Sequence, residues 1–252
     1  MLHFDDIVFG PIYSRRLGSS LGVNLLPSKG KLCNFDCVYC ECGWNKDGAD
    51  HGQFPSFGQI CEALETKMKS LADEGVSVDS ITFSGNGEPT MHPDFSSVID
   101  VTLQLRDCYF PDAKVSVLSN ATLIGRPEVA EALMRVDNPI LKIDAPTDEQ
   151  IRLINKPVGH YSLKEVVENL KRFNGQFVLQ TMFLKSPEFN TTDPQSLEGW
   201  IEIVRTLRPR EVMVYTIDRE TPDKSLEKYT VGQMREFVRQ LIEEGFNVQI
   251  RG

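Results

Sequence analysis

Short apolar runs alternate with amphipathic segments along most of the chain. Most of the runs are nearly continuous in apolar or β-branched residues, which is typical of parallel strands covered on both faces. They predict strands at 22–27, 80–85, 114–120, 139–145, 177–184, 211–218 and 247–251.

Between these runs, apolar residues recur at helical spacing. Four segments keep them on one helical face, within 60–71, 163–170, 197–204 and 231–242. Weaker helices fit 94–107 and 127–135, the latter entered through Pro127 at a favoured first-turn position. Because strand and helix alternate and parallel crossovers are right-handed, the pattern predicts an α/β fold, a partial (β/α)6 TIM-like barrel. We expect a single domain over 1–252 with an N-terminal arm at 1–21.

Composition limits the classes of function. The chain has 252 residues, is 40% hydrophobic and contains six cysteines, so it can bury a core without disulfides. The N-terminus lacks the basic start and apolar run of a signal peptide, and no stretch reaches membrane-spanning length. We therefore expect a cytoplasmic protein without membrane association. The net charge of −9 disfavours a broad basic surface, so we expect no DNA partner.

Four cysteines lie close together in the loop 33–42, which follows the first predicted strand. Cys33, Cys37 and Cys40 are spaced C-x3-C-x2-C, and Cys42 follows. In a reducing compartment such clusters more often bind metal than form disulfides. A zinc site completed by Cys42 and an iron–sulfur cluster are both open, although structural zinc sites usually pair two distant knuckles. Ligands of such barrels bind at the C-terminal ends of the strands, so the thiols should lie at the active-site mouth.

Two motifs resemble those of the radical S-adenosylmethionine (SAM) enzymes. The first is the C-x3-C-x2-C spacing with an aromatic residue, Tyr39, just before the third cysteine. The second is FSGNGEP at 83–89, which is similar to a Gly-Gly-Glu-Pro motif with Asn86 inserted between the glycines. The resemblance implies that Cys33, Cys37 and Cys40 bind a [4Fe-4S] cluster, and that SAM chelates the iron left open.

The same resemblance implies a set of cofactor-binding residues. They are Tyr39 packed by the cofactor, Gly85, Gly87 and Glu88 at the methionyl group, Ser119 and Asn120 at the ribose, and Tyr215 and Thr216 at the adenine. It also implies a reaction in which a reducing protein such as flavodoxin or ferredoxin supplies an electron. SAM is then cleaved to a 5'-deoxyadenosyl radical that abstracts hydrogen from the substrate.

Further segments are similar to a narrower branch, related to the wyosine-tRNA-forming enzymes. They are GPIYSRRLGSSLGVNLLP at 10–27, KIDAP at 142–146 and YTIDRETP at 215–222. The substrate stays open between a tRNA base, a small metabolite and a protein glycyl-radical site. Outside this class, a non-catalytic zinc or electron-transfer protein is the alternative.

Some polar residues are weaker candidates for catalysis. Lys142 and Asp144 alternate onto one face of the fourth predicted strand, and Gln180 follows the same argument on the fifth. Charged groups inside a barrel are costly unless paired or used, so Lys142 and Asp144 either pair or contact substrate or SAM. Cys42 is either an incidental thiol or a substrate ligand, hydrogen-atom donor or redox partner.

Two arginines precede the first predicted strand. Arg15 and Arg16 are either solvated residues of the arm or a binding site for a phosphate or carboxylate of the substrate.

Overall fold

The computed structural model describes residues 4–14, 17–48 and 52–252. Strands in this part of the chain are Val8–Ser14 (β1), Gly18–Val23 (β2), Ser80–Phe83 (β3), Lys114–Ser119 (β4), Asn138–Lys142 (β5), Val178–Met182 (β6), Leu184–Lys185 (β7), Glu211–Tyr215 (β8), Glu227–Lys228 (β9) and Val248–Arg251 (β10). The helices are Phe57–Asp73 (α1), Phe95–Tyr109 (α2), Pro127–Arg135 (α3), Asp148–Ile154 (α4), Leu163–Lys171 (α5), Pro194–Leu207 (α6), Val231–Phe237 (α7) and Arg239–Glu243 (α8).

Eight strands form one curled sheet in the order β1-β2-β3-β4-β5-β6-β8-β10. From β2 to β10 all neighbours are parallel, and β1 adds to the edge as an antiparallel strand. The prediction of an α/β fold with a partial, TIM-like barrel is confirmed. The short strands β7 and β9 pair separately, beyond the ends of β6 and β8.

The helices form where the sequence has both a residue that favours a helix start and apolar residues at helical spacing. Ser56 and Gln59 make a capping box that starts α1, and the predicted apolar face of this helix is buried. Helix α3 starts at Pro127, as the sequence predicts.

The two faces of the sheet differ in what they bury. Leu141, Leu179 and Val212 point to the outer face and belong to the main core with the helices. Ile140, Val178 and Met213 face the inside of the curl and form a separate small cluster. Lys142 and Gln180 are paired in register on this inner face, where the sequence pattern puts them.

The N-terminal arm was only partly predicted. Residues 8–14 are a strand, and β2 begins at Gly18, four residues before the predicted start at 22. Gly10 and Pro11 interrupt the strand pattern of β1, but an edge strand tolerates proline because one side of it needs no partner. Arg15 and Arg16 lie outside the described residues.

Two of the helices differ from the expectation. Helix α4 was not predicted, because its seven residues are too short for a clear helical period. The predicted helix at 231–242 divides at Val238 into α7 and α8, and its end residues Val231 and Ile242 are exposed rather than buried. In the part of the chain described, no helix has the length and apolar character needed to span a membrane.

Candidate cluster and cofactor site

The cysteine loop 33–42 follows β2 and is held in place through its backbone. Asp36 N donates to Asn155 O at 2.8 Å, and Val38 N donates to Ile154 O at 2.9 Å. Three residues after Asn155, Val158 N donates to Asn34 O at 2.9 Å. The end of α4 and the turn after it therefore support the loop from outside.

Amide groups donate to two of the three motif sulfurs. Asn155 Nδ2 lies 3.3 Å from Cys37 Sγ, and Asn120 Nδ2 lies 3.7 Å from Cys33 Sγ. The backbone N–H of Phe35 also donates to Cys33 Sγ, at 3.4 Å. Hydrogen bonds of this kind favour the thiolate form and are one of the groups of contacts that tune cysteine-bound iron–sulfur clusters. The donor set of the loop fits such a cluster.

The thiols differ in their electrostatic surroundings. Burial raises the pKa of Cys33, and burial followed by the nearby Cys40 raises the pKa of Cys37 to about 11. A hydrogen bond from Cys42 lowers the pKa of Cys40 to about 6, and the same bond raises the pKa of Cys42. The pKa of Cys40 is thus lowered, whereas the pKa values of the other three thiols are raised.

The four thiols do not surround a single ion. Within residues 4–14, 17–48 and 52–252, no group of three or more Cys, His, Asp or Glu side chains is arranged around one metal ion. A structural zinc site would need its four donors to converge on one point. A cluster distributes its cysteine ligands over several irons, so its ligands need not converge on one point.

A buried lysine accompanies the thiols. Lys31 is 1% exposed, and its Nζ donates to Asp36 Oδ1 at 2.9 Å and to Gly43 O at 3.1 Å. Asn45 closes the same loop from its end, since its Nδ2 donates to the carbonyls of Cys33 and Phe35. The loop therefore has its own side-chain framework, independent of bound metal.

The GNGEP loop at 85–89 runs beside the cysteine loop. Leu32 N donates to Asn86 O at 2.8 Å, and Glu88 N donates to Leu32 O at 3.3 Å. The side chain of Asn86 is fully buried and points away from the thiols, bonding Phe4 and the carbonyl of Pro27. The residue that departs from the Gly-Gly pattern thus binds the N-terminal part of the chain to the loop.

The two glycines of this loop are required by contacts within the chain. A Cβ at Gly87, whose φ is +144°, would lie 1.8 Å from the carbonyl oxygen of Leu32. A Cβ at Gly85 would lie 2.3 Å from Asn24 Oδ1. Close approach to Leu32 at Gly87 and to Asn24 at Gly85 is therefore one physical reason for the two glycines.

Glu88 is 2% exposed and accepts hydrogen bonds on both carboxylate oxygens. Oε1 accepts from the hydroxyl and backbone N–H of Thr90 and, at 2.8 Å, from Ser119 Oγ. Oε2 accepts from Asn120 N at 2.7 Å. Burial raises the pKa of Glu88, opposed by these bonds. The structure thus brings Glu88, Ser119 and Asn120 together, and Asn120 extends the group to Cys33.

Lys142 and Asp144 pair only loosely, and each has stronger partners. Their closest approach is 3.5 Å, whereas Lys142 Nζ donates to Tyr215 Oη at 2.7 Å and lies over the rings of Tyr39 and Tyr215. The fully buried Asp144 carboxylate accepts from Tyr39 Oη, Asn155 Nδ2 and Met182 N. Burial lowers the pKa of Lys142, but Asp144 and Tyr215 outweigh it and raise the pKa overall.

The remaining candidates lie in different surroundings. Gln180 is buried, with Nε2 near Met213 Sδ. The Thr216 hydroxyl donates to Phe183 O at 2.9 Å and accepts from Tyr229 N at 3.1 Å, so it is already used within the chain. Cys42 Sγ lies 3.5 Å from Gly85 O, between the two motif loops.

A cavity of about 240 Å³ opens beside the two tyrosines. Tyr39, Met182 and Tyr215 line its inner side, and residues of β1 and the end of β10 line its outer side. Since β1 and β10 are the opposite edges of the sheet, the cavity lies in the gap where the curled sheet does not close. An ion pair of Arg219 and Glu41, 2.7 Å apart, belongs to its rim.

The sequence analysis did not identify the supporting residues Lys31, Asp36, Asn45 and Asn155. The position of Lys31 two residues before the first motif cysteine was the one available signal. Asn155 has no such signal, because it is 118 positions from Cys37 and meets it only in the fold.

This geometry and the similarity of the sequence to known proteins identify the family. The sequence profile described as Radical SAM superfamily matches residues 28–185. The chain is 30% identical over 223 residues to the UPF0026 protein MJ1312 of Methanocaldococcus jannaschii, covering 86% of this chain and 65% of that protein. It is also 30% identical over 223 residues to a UPF0026 protein of Helicobacter pylori, covering 87% and 68%. The chain belongs to the radical SAM superfamily of enzymes, and it spans about two thirds of the length of these relatives.

Solved structures share the fold at low sequence identity. A radical SAM methyltransferase from Sphaerobacter thermophilus has a TM-score of 0.68 at 14% identity, covering 92% of this chain and 65% of that one. Streptococcus suis SuiB bound to S-adenosylmethionine has a TM-score of 0.57 at 15% identity, covering 90% and 47%. Archaeal TYW1, a wyosine-forming enzyme, has a TM-score of 0.50 at 11% identity, covering 89% and 71%. The sequence resemblance to this superfamily is confirmed.

Proposed function

We propose that the protein binds a [4Fe-4S] cluster through Cys33, Cys37 and Cys40 and cleaves SAM reductively to act on a substrate. One observation carries the proposal: the three thiols follow a parallel strand, two of their sulfurs accept amide hydrogen bonds, and the GNGEP loop lies beside them. When bound, the cluster supplies the single electron that breaks a carbon–sulfur bond of SAM.

The chain's own residues hold the methionyl end of SAM. The loop of Gly85, Gly87 and Glu88 offers backbone groups next to the thiols. Among the residues that the structure describes, Asn120 N alone donates to Glu88 Oε2, so this oxygen keeps a lone pair with which to accept from the methionyl ammonium. Ser119 and Asn120, which fix Glu88, lie at the end of β4 for the predicted ribose contact.

The nucleoside end of SAM extends toward the cavity beside Tyr39 and Tyr215. The rings of these tyrosines give an apolar, polarisable wall, and Thr216 contributes its backbone because its hydroxyl is used elsewhere. Lys142 orients Tyr215 through its hydroxyl and contacts SAM or substrate at the mouth. Gln180 and Cys42 have supporting roles, Gln180 as a polar group of the inner wall and Cys42 as a donor to the Gly85 carbonyl.

The partners follow from this chemistry. A reducing protein such as flavodoxin or ferredoxin in the cytoplasm supplies the electron. The substrate is a small molecule, an RNA or a protein. The fold shared with archaeal TYW1 supports a tRNA base, and the net charge of −9 opposes a broad RNA-binding surface.

Anaerobic metal analysis tests the proposal. Protein treated with ferrous iron and sulfide is expected to hold about four of each per chain. Its reduced electron paramagnetic resonance spectrum should change when SAM is added, and dithionite with SAM should yield 5'-deoxyadenosine. One zinc per chain without sulfide would instead establish the non-catalytic zinc alternative.

A further inference from the structure

Lys31 is one of the largest fully buried side chains of the protein. Lysine is almost never fully buried unless it is paired, because removing an ammonium from water costs several kcal/mol. Its burial close to the motif cysteines therefore requires groups around it that offset the charge of the ammonium.

The bonds of Lys31 all go to the loop that carries the thiols. Nζ donates to the carboxylate of Asp36, between the first two cysteines, and to the carbonyl of Gly43, just after Cys42. The Asp36 side chain is 24% exposed and also accepts from Asn45 N at 2.8 Å. Water can therefore share the charge of Asp36, but it reaches the ammonium hardly at all.

The negative charge near Lys31 exceeds what Asp36 alone supplies. Cysteines bind metal as thiolates, and three of them outweigh the positive charge of an oxidised [4Fe-4S] core, so an occupied site adds net negative charge that grows by one unit on reduction. Asp36 and Gly43, which accept from Lys31 Nζ, lie on either side of the segment that carries Cys37, Cys40 and Cys42. This segment therefore lies against the buried ammonium, and thiolates on it add to the charge of Asp36.

We propose that Lys31 is the built-in counter-charge of the thiolate site, which favours assembly of the cluster and raises its reduction potential. Because the reduced cluster carries one more negative charge than the oxidised one, a nearby buried cation stabilises the reduced form more. Lys31 is a positioning residue that acts through the thiolates. The inference rests on the proposed function, since it requires that the cysteines hold a cluster.

Four variants separate the charge of Lys31 from its hydrogen bonds. Lys31→Met removes both, Lys31→Gln removes the charge but keeps a donor, Lys31→Arg keeps both, and Asp36→Asn keeps the acceptor while removing the opposing charge. Each is loaded anaerobically with ferrous iron and sulfide, analysed for iron, and titrated potentiometrically by electron paramagnetic resonance. Circular dichroism reports the fold.

We expect Lys31→Met to lower the potential, so that the ratio of reduced to oxidised cluster at a fixed potential falls about tenfold or more. Lys31→Arg should restore the wild-type value, and Asp36→Asn should raise the potential. Loss of iron in both Lys31→Met and Lys31→Gln, with the other two variants loaded, also supports the counter-charge role, whereas loss in Lys31→Met alone would assign Lys31 to the hydrogen bonds of the loop and overturn it.

Other outcomes overturn the inference. An unchanged reduction potential in loaded Lys31→Met is one of them. The other is a change in the potential of Asp36→Asn that has the same sign as the change in Lys31→Met. If Lys31→Met does not fold, Lys31→Gln decides: a potential at or above the wild-type value overturns the role. Failure of the wild type itself to take up iron and sulfide would refute the proposed function instead.

Discussion

The cysteine loop and the GNGEP loop lie side by side, but they use their side chains differently. In the cysteine loop, Lys31, Asp36 and Asn45 hold the backbone, and the motif sulfurs are left to accept bonds from outside. In the GNGEP loop, the side chains of Asn86 and Glu88 are buried and bonded to other parts of the chain. One loop presents its motif side chains, and the other presents its backbone.

The difference changes how a motif residue should be interpreted. Gly87 allows the GNGEP backbone to pass the Leu32 carbonyl, and Glu88 joins this loop to the end of β4. Both residues therefore shape the site before any ligand arrives. The same positions can serve SAM, but a substitution there will affect the protein as well as its ligand.

The largest effect is expected from the cysteine loop. Replacing Cys33, Cys37 and Cys40 together by Ala should abolish iron binding and leave a colourless, folded protein, because Lys31, Asn45 and the turn after α4 hold the backbone without the thiols. Iron analysis and circular dichroism measure the two properties. Full retention of iron would exclude these cysteines as ligands.

The second prediction concerns the contact between the loops. Gly87→Ala should lower the free energy of unfolding by about 1 to 3 kcal/mol or more. Alanine is strained at this φ, and its Cβ would meet the Leu32 carbonyl. Urea unfolding of the metal-free protein measures it. Gly159→Ala is the matched control, because Gly159 also has a positive φ, +88°, but no atom lies within 4 Å of its added Cβ. Equal losses in both variants would argue against a role for the loop contact.

The third prediction separates the two roles of Glu88. Glu88→Ala should lower the free energy of unfolding by about 1 to 3 kcal/mol, because Thr90, Ser119 and Asn120 lose their buried acceptor. If Oε2 also accepts from the methionyl ammonium, SAM affinity should fall about 10- to 100-fold. Anaerobic calorimetry on the loaded protein measures the affinity.

Thr90→Val is the control for this experiment, since it removes one donor hydroxyl and keeps the carboxylate. It should lose some stability but retain SAM affinity. A stable, loaded Glu88→Ala protein with wild-type SAM affinity would restrict Glu88 to its structural role.

The sequence predicts the elements that repeat and misses those that depend on distant contacts. Strands β3 to β6, β8 and β10 follow from their apolar runs, and α1 follows from a face that is buried as expected. Strand β1 was missed because its pairing with β2, not its own pattern, makes it a strand.

The same division applies to the site. The spacing of the cysteines and the position of GNGEP after a strand indicate where the chemistry lies. They do not indicate that Lys31 is buried or that Asn155 meets Cys37, because both facts arise from packing between segments far apart in sequence. Nor do they show that the Thr216 hydroxyl is occupied by Phe183 and Tyr229.

The smallest effect is expected at Cys42, which lies between the two loops. Its thiol donates to Gly85 O at 3.5 Å, but the motif spacing assigns it no cluster ligand position. Cys42→Ala should therefore keep the iron content and the SAM-dependent change in the electron paramagnetic resonance spectrum, because Lys31 still offsets the charge of Cys40. Cys42→Ser, which retains a donor, is the matched comparison. Loss of the cluster in both variants would make Cys42 a ligand, and loss in Cys42→Ala alone would show that a hydrogen-bond donor at this position is needed for assembly.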